Sequence, residues 1–155
     1  EFFTMSLVLE QFLPYRLNRL ADSLSKNASQ AYKSEYGLSR PEWRAFALLG
    51  QKGTMTATEI AHFSTMDKTK VSRALYALEK RSWLIRSQDD KDRRLEHLTL
   101  TAAGHQAYEK LVPKMLKVET DMIARLGESD CAALKQGLDA LENLFANEAM
   151  AQNSN

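Results

Sequence analysis

Residues 89–101 read DDKDRRLEHLTLT: three aspartates interleaved with a lysine and two arginines, then a short run of leucines and threonines. Carboxylates and guanidiniums this close together either solvate a turn or equip a loop to touch a charged surface. The charge extends upstream. From Thr65 to Arg94, nine basic residues (Lys68, Lys70, Arg73, Lys80, Arg81, Arg86, Lys91, Arg93, Arg94) stand against five acids (Asp67, Glu79, Asp89, Asp90, Asp92), so this window carries +4 in a chain whose net charge is +1. A basic patch on a near-neutral protein hints at a polyanionic partner. On charge alone, a solvated helix face followed by a charged turn is the plainer reading.

Other chemistries find less support. No glycine-rich phosphate loop, nucleophile elbow or paired-carboxylate motif occurs in a fitting context, so an enzyme is the weakest class. The single cysteine, Cys131, excludes an internal disulfide and any CxxC metal site, and suits a reducing cytoplasm. His62, His97 and His105 are scattered without the spacing of a zinc site, so neither metal nor cofactor is expected. No apolar run approaches the ~20 residues of a membrane span, and no leader pattern opens the chain. The leading Glu1-Phe2-Phe3, ahead of Met5, reads as an added or processed end and is set aside.

The basic window must be positioned by helices. With 155 residues, 44% of them hydrophobic and 26% charged, the chain suits one compact globular unit with appended helices. Leu7 to Tyr36 reads as one helix, or two joined near Pro14, with Leu13, Leu17, Leu20, Leu24, Ala28 and Ala31 at three- and four-residue steps. Gly37 is placed to end it. Ser39-Arg-Pro-Glu42 is a capping box that starts a helix through Trp43, Phe46 and Leu49, with Gly50 and Gly53 closing it. Thr56-Ala-Thr-Glu59 repeats the device before a short helix through Ile60, Ala61 and Phe63. Ser64 to Asp67 then form a turn, and Asp67 caps a helix from Lys68 to Arg81.

On that helix Val71, Ala74, Leu75 and Leu78 share one face. The opposite face carries Thr69, Ser72, Arg73, Tyr76 and Lys80, with Lys68 and Lys70 at its start: hydroxyls and cations rather than the Glu/Lys mixture of a merely soluble face. Trp83 to Ser87 and Leu95 to Leu100 have strand composition, with a polar tip from Gln88 to Arg94. Thr101 caps a long helix to about Leu126. Along it Tyr108, Leu111, Met115, Val118 and Met122 form a coiled-coil-like seam, beside a second stripe of Val112, Leu116, Ile123 and Leu126. A last helix from Ser129 lines up Leu134, Leu138, Leu141 and Phe145. So much apolar helix surface points to a partner subunit. The expected fold is mainly α with a small β-hairpin wing: helix, turn, basic helix and hairpin in the order of a winged helix-turn-helix.

The stretch TATEIAHFSTMDKTKVSRALYALEKRSWLIRSQDDKDRRLEHLTLTAAG (56–104) resembles the core of the MarR family of bacterial transcriptional regulators. DRR followed by LTLTAAG is the most specific element, and the likeness runs from about Leu13 to Phe145. Two departures stand out: Thr65, where many helix-turn-helix units have glycine, and Ser82, where the family often does. The resemblance implies a homodimer whose terminal helices (1–36 and 101–155) dimerise, with a DNA-binding lobe at 37–100. It implies a palindromic double-stranded operator and usually repression relieved by a small molecule. Carried over by position, Arg94 enters the minor groove and Asp92 holds it. Thr65, Lys68, Thr69, Lys70, Ser72, Arg73 and Arg93 complete the expected DNA contacts.

Some relatives sense peroxide through a cysteine near the start of the chain, which Cys131 does not match. FLPYRLNRLADSLS with YGLSRPEWRAFALLG is similar instead to MarR-type repressors of aromatic-acid catabolism, including those answering hydroxycinnamates or their CoA thioesters. A carboxylate effector needs a cation and an aromatic wall in a mostly apolar cleft. Tyr15, Arg16, Arg19, Trp43 and Phe46 are the expected lining. Against that reading stand Trp43 and Phe46 as core and Arg16 as an interhelical ion pair. A MarR-type activator with another effector, and a winged-helix module that docks a protein on its basic face, remain the alternatives.

Overall fold

The computed structural model describes residues 6–152, so Glu1-Phe2-Phe3 lies outside the described residues. A 3₁₀ turn at Leu9–Gln11 precedes α1 (Leu13–Tyr36), α2 (Arg40–Lys52), α3 (Ala57–Ser64), α4 (Lys68–Lys80), β1 (Leu84–Gln88), β2 (Glu96–Leu100), α5 (Ala102–Leu126) and α6 (Glu128–Gln152). The fold is mainly helical with a two-stranded antiparallel hairpin, as its sequence implies. It divides into two compact units at Met115/Leu116, inside α5. Among the described residues no helix is long and apolar enough to cross a membrane.

Helices α2 to α5 each start where a local side chain caps the first N–H groups, whereas Phe12 ahead of α1 offers no side-chain cap. Ser39 and Glu42 close the full reciprocal box on α2. The Thr56 hydroxyl accepts from the Glu59 N–H at 3.2 Å, and Asp67 Oδ1 accepts from the Lys70 N–H at 2.8 Å. Thr101 Oγ1 accepts from the Gly104 N–H at 3.0 Å. At the far end of α1, Gly37 turns left-handed (φ 64°), its N–H donating to the Lys33 carbonyl at 2.8 Å while Leu38 N–H reaches Tyr32 O.

Two expected boundaries move. Pro14 does not join two helices; it sits in the first turn of α1, where its missing N–H costs nothing, and among the described residues only the 3₁₀ turn precedes that helix. Gly50 does not close α2, which runs on to Lys52 with Gly53 as its cap. Its role is packing: a Cβ on Gly50 would lie 2.5 Å from ring carbons of Tyr108, so the missing side chain seats α5 against α2.

The core of the first unit gathers Tyr32, Leu38, Phe46, Leu49, Ile60, Val71, Leu75, Leu78, Leu98 and Leu111, all at most 1% exposed. Its aromatic centre is ordered. The Phe46 ring stacks on Trp83 with centroids 5.0 Å apart and meets Tyr108 edge-on at 5.8 Å; Tyr36 meets Trp83 edge-on at 5.0 Å. The first part of the expected coiled-coil seam is thus core of its own chain: Leu111 is fully buried, with Tyr108 and Met115 packed beside it.

In the hairpin Leu84 pairs with Leu100, Arg86 with Leu98, and Gln88 with Glu96. β1 lies one residue later than its composition suggested and β2 starts one residue later but ends at Leu100 as expected, so Trp83 and Leu95 fall outside the ladder. Leu84, Leu98 and Leu100 face the core, while Ile85 and Leu95 are exposed. The free edge of β2 is closed by Met55, which exchanges two backbone hydrogen bonds with Leu98 at 2.8 and 3.0 Å.

Candidate nucleic-acid interface

Helix α3, the turn at residues 65–67 and helix α4 form a helix-turn-helix, and the hairpin stands beside α4 as a wing. The turn is tight because Thr65 adopts the left-handed conformation (φ 56°, ψ 29°), its hydroxyl donating to the Ser64 carbonyl at 2.7 Å. Met66 then plugs the turn into the core at 8% exposure. On α4 the apolar face of Val71, Ala74, Leu75 and Leu78 is buried, which forces Lys68, Thr69, Lys70, Ser72, Arg73 and Tyr76 into solvent. A cleft between the start of α3, α4 and the wing base is lined by Thr58, Lys68, Ser72 and Arg86. A second runs from α3 to Arg93 and Arg94 at the wing.

The wing tip gives Arg94 a defined geometry. Asp92 Oδ1 accepts from the Arg94 N–H at 3.0 Å and from its Nε at 3.2 Å, and the guanidinium remains 91% exposed. A free arginine would sweep a wide arc; this one is held by its neighbour and still presents its outer N–H groups. Arg93 is exposed and, among the described residues, makes no ion pair. The same holds for Lys68 and Arg73, so α4 offers cations not already neutralised, whereas Lys70 lies 4.0 Å from its own cap, Asp67.

Three groups that the sequence did not single out shape this surface. Arg86 was counted in the basic patch, but its charge faces Glu79 of α4 at 2.8 Å and Glu96 of β2 at 3.2 Å. Partial burial pulls its pKa down; the two carboxylates outweigh that, and the net shift is upward. Asp89 and His97 pair at 2.8 Å beneath the tip. The partner of Asp89 lies eight residues on, so only its place at the head of a turn, where aspartate favours local N–H groups, could have flagged it.

The five expected effector residues fall in two places. Tyr15, Arg16 and Arg19 line one open cleft with Glu10 and Leu20, and Arg19 lies over the Tyr15 ring at 5.8 Å. Trp43 is half-buried and stacked on Tyr32 at 5.4 Å. Phe46 is wholly buried in the aromatic core, so in this conformation it shows no surface to a ligand. Among the described residues no cluster of His, Cys, Asp and Glu could hold a metal ion.

A winged helix-turn-helix with a cationic, hydroxyl-bearing recognition helix and an exposed arginine on the wing defines a class: the DNA-binding transcription regulators. Residues 38–95 match the model of the MarR family. The chain is 33% identical over 117 residues to the uncharacterized HTH-type transcriptional regulator YwaE of Bacillus subtilis (strain 168), spanning 74% of this chain and 67% of that protein. It superposes on the MarR family regulator SPO1453 of Silicibacter pomeroyi DSS-3 with a TM-score of 0.78 at 26% identity, over 90% and 99% of the two chains. The fold is also that of BpsR of Bordetella bronchiseptica, a protein described for regulation of its DNA binding by 6-hydroxynicotinic acid; the TM-score is 0.75 at 19% identity, over 88% and 97%. The chain belongs to the MarR family of transcriptional regulators.

Proposed function

We propose that the chain is a homodimeric, sequence-specific DNA-binding repressor that acts in the cytoplasm and is released by a small aromatic carboxylate or its CoA thioester. The observation that carries the DNA reading is the Asp92–Arg94 grip beside the open face of α4. A helix of this width enters a major groove, and an arginine held at the end of a wing reaches the narrow minor groove alongside. On this reading Lys68, Thr69, Lys70, Ser72 and Arg73 meet bases and phosphates, Thr65 lies at the entering end, and Arg93 meets the backbone. The lobe would span 37–100.

Homodimerisation through 1–36 and 101–155 is supported by apolar side chains that each unit leaves in water: Leu13, Leu20 and Leu24 on α1, and Leu134, Leu138 and Phe145 on α6. Two copies would match a palindromic operator, one lobe to each half-site. The effector reading rests on the Tyr15, Arg16 and Arg19 cleft, where the Arg19 guanidinium lies against the Tyr15 ring. Trp43 and Phe46 would join it only in a conformation that opens the aromatic core. The aromatic acid tied to DNA binding in BpsR, a protein of the same fold, is in keeping with that ligand class.

Gel shifts of Arg94→Ala on a duplex selected from a random pool by the wild-type chain test the DNA reading. The variant should stay a folded dimer, bind more weakly and show a shallower salt dependence; unchanged affinity removes the wing from the account. A thermal-shift screen of aromatic acids and their CoA esters tests the effector class. An effector found by its rise in Tm should also lower operator affinity, and the operator should weaken effector binding by the same factor, because the coupling is reciprocal. No response across the set counts against that class.

A further inference from the structure

The wing holds one carboxylate more than the arginine grip requires. Asp89 stands where β1 gives way to the tip, and its two oxygens do different work. Oδ1 accepts from the backbone N–H of Lys91 at 2.8 Å and of Asp92 at 2.9 Å, donors that have turned away from the strand ladder. Oδ2 meets Nε2 of His97 at 2.8 Å, across the hairpin on β2. Two backbone bonds close the same loop, from Asp89 N–H to Leu95 O and from Leu95 N–H to Asp92 O, each 3.0 Å.

The contacts run in sequence: His97 holds Asp89, Asp89 holds the N–H of Asp92, and Asp92 holds Arg94. Side-chain exposure is low at the sheet end, 33% at His97 and 28% at Asp89, then rises to 40% at Asp92 and 91% at Arg94. A chain anchored in the sheet thus ends on a guanidinium whose side chain is almost wholly in water. Without Asp89 the N–H of Asp92 has no fixed acceptor, and the backbone that aims the Asp92 carboxylate is free to turn.

We propose that Asp89, anchored by His97, is a positioning residue for operator recognition: it touches no DNA and acts by fixing the turn from which Asp92 presents Arg94. The proposal rests on the reading of the wing as a DNA-contacting element. It also accounts for an acid beside a surface meant for a polyanion, since three donors face its charge. The same three contacts hold the carboxyl down to about 2, His97 first and the Asp92 and Lys91 N–H groups next.

A mutant cycle on the full-length chain separates the proposal from that reading. The probe is the duplex selected by the wild-type chain, and the variants are Asp89→Ala, Arg94→Ala, their double variant, and Asp89→Asn. Asp89→Ala should weaken binding about 10-fold and reduce the salt slope by about 1, as Arg94→Ala does. The double variant should bind no worse than Arg94→Ala, because the two substitutions remove one effect. Asp89→Asn keeps an acceptor for both N–H groups and should stay within about 3-fold of wild type. Wild-type affinity for Asp89→Ala, or losses that multiply in the double variant, overturn the proposal while the wing reading stands. An Arg94→Ala variant that binds normally overturns both. If Asp89→Ala does not fold, His97→Leu decides: it cuts the anchor from the strand side, and unchanged binding refutes the relay.

Discussion

Arg86 of β1 donates through Nε to the Glu79 carboxylate of α4 at 2.8 Å, tying the wing to the recognition helix. Its Nη1 donates to Glu96 of β2 at 3.2 Å, so one guanidinium spans helix and both strands. Arg86→Gln should leave the core intact but loosen that tie. The partners are half in water, so the expected loss is only about 1 kcal/mol in urea unfolding. Amide exchange over 84–100 should accelerate more than exchange in α1. Equal protection in variant and wild type would show that the ladder alone holds the wing.

Gly104 and Gly137 should answer alanine with opposite signs. A Cβ at Gly104 would sit 2.5 Å from the Trp83 carbonyl oxygen, where Thr101 N–H already closes on the same oxygen at 3.0 Å. Helix propensity favours alanine by about 1 kcal/mol; overpacking against backbone costs about 1–3 kcal/mol and wins. Gly137 of α6 has nothing within 4 Å of its Cβ position, so Gly137→Ala should gain up to about 1 kcal/mol. Chemical denaturation of the two variants checks the pair.

Thr65 (φ 56°) and Ser82 (φ 61°) hold left-handed backbone with side chains that disfavour it. Ser82 ends α4 much as a glycine would, with Trp83 N–H reaching back to Leu78 O at 3.1 Å. Ser82→Gly should stabilise the chain by about 0.5–1 kcal/mol, because strain relief exceeds the added freedom of the unfolded chain. Thr65→Gly should gain less, since it also loses the hydroxyl bond to Ser64. A lower Tm for Ser82→Gly would contradict the strain argument.

Asp89 also gives the wing an acid limit. Its folded pKa, about 2, lies below the ordinary value of 3.8, so its contribution is fully present above 3.8 and is lost as pH falls through about 2. Asp22, lowered by Lys26 and Arg40, and Glu35, lowered by Lys114 and Lys110, act in the same direction. Tm should therefore fall from pH 5 towards pH 2. Asp89→Asn should flatten the part of that decline reported by the Lys91 and Asp92 amides, followed by NMR.

Much of this architecture was legible because its determinants are local. Ser39, Thr56, Asp67 and Thr101 cap helices through bonds three residues long, and the buried face of α4 repeats with helical period. What was not legible depends on partners distant in the chain. Arg86 looked like one more cation until Glu79 and Glu96 were placed beside it. Gly50 looked like a stop until Tyr108 arrived from α5. Phe46, equally suited to a ligand wall or to a core, lies between Trp83 and Tyr108, and no spacing along the sequence distinguishes those two fates.

The grip of Asp92 on Arg94 bears finally on when rotamer freedom is surrendered. A long arginine carries about 2 kcal/mol of it. Where the carboxylate restrains the side chain in the free protein, part of that loss belongs to folding rather than to association. On the proposed reading of the wing as a DNA contact, less ordering is then left for the encounter, and a larger share of collisions arrives with the guanidinium already aimed.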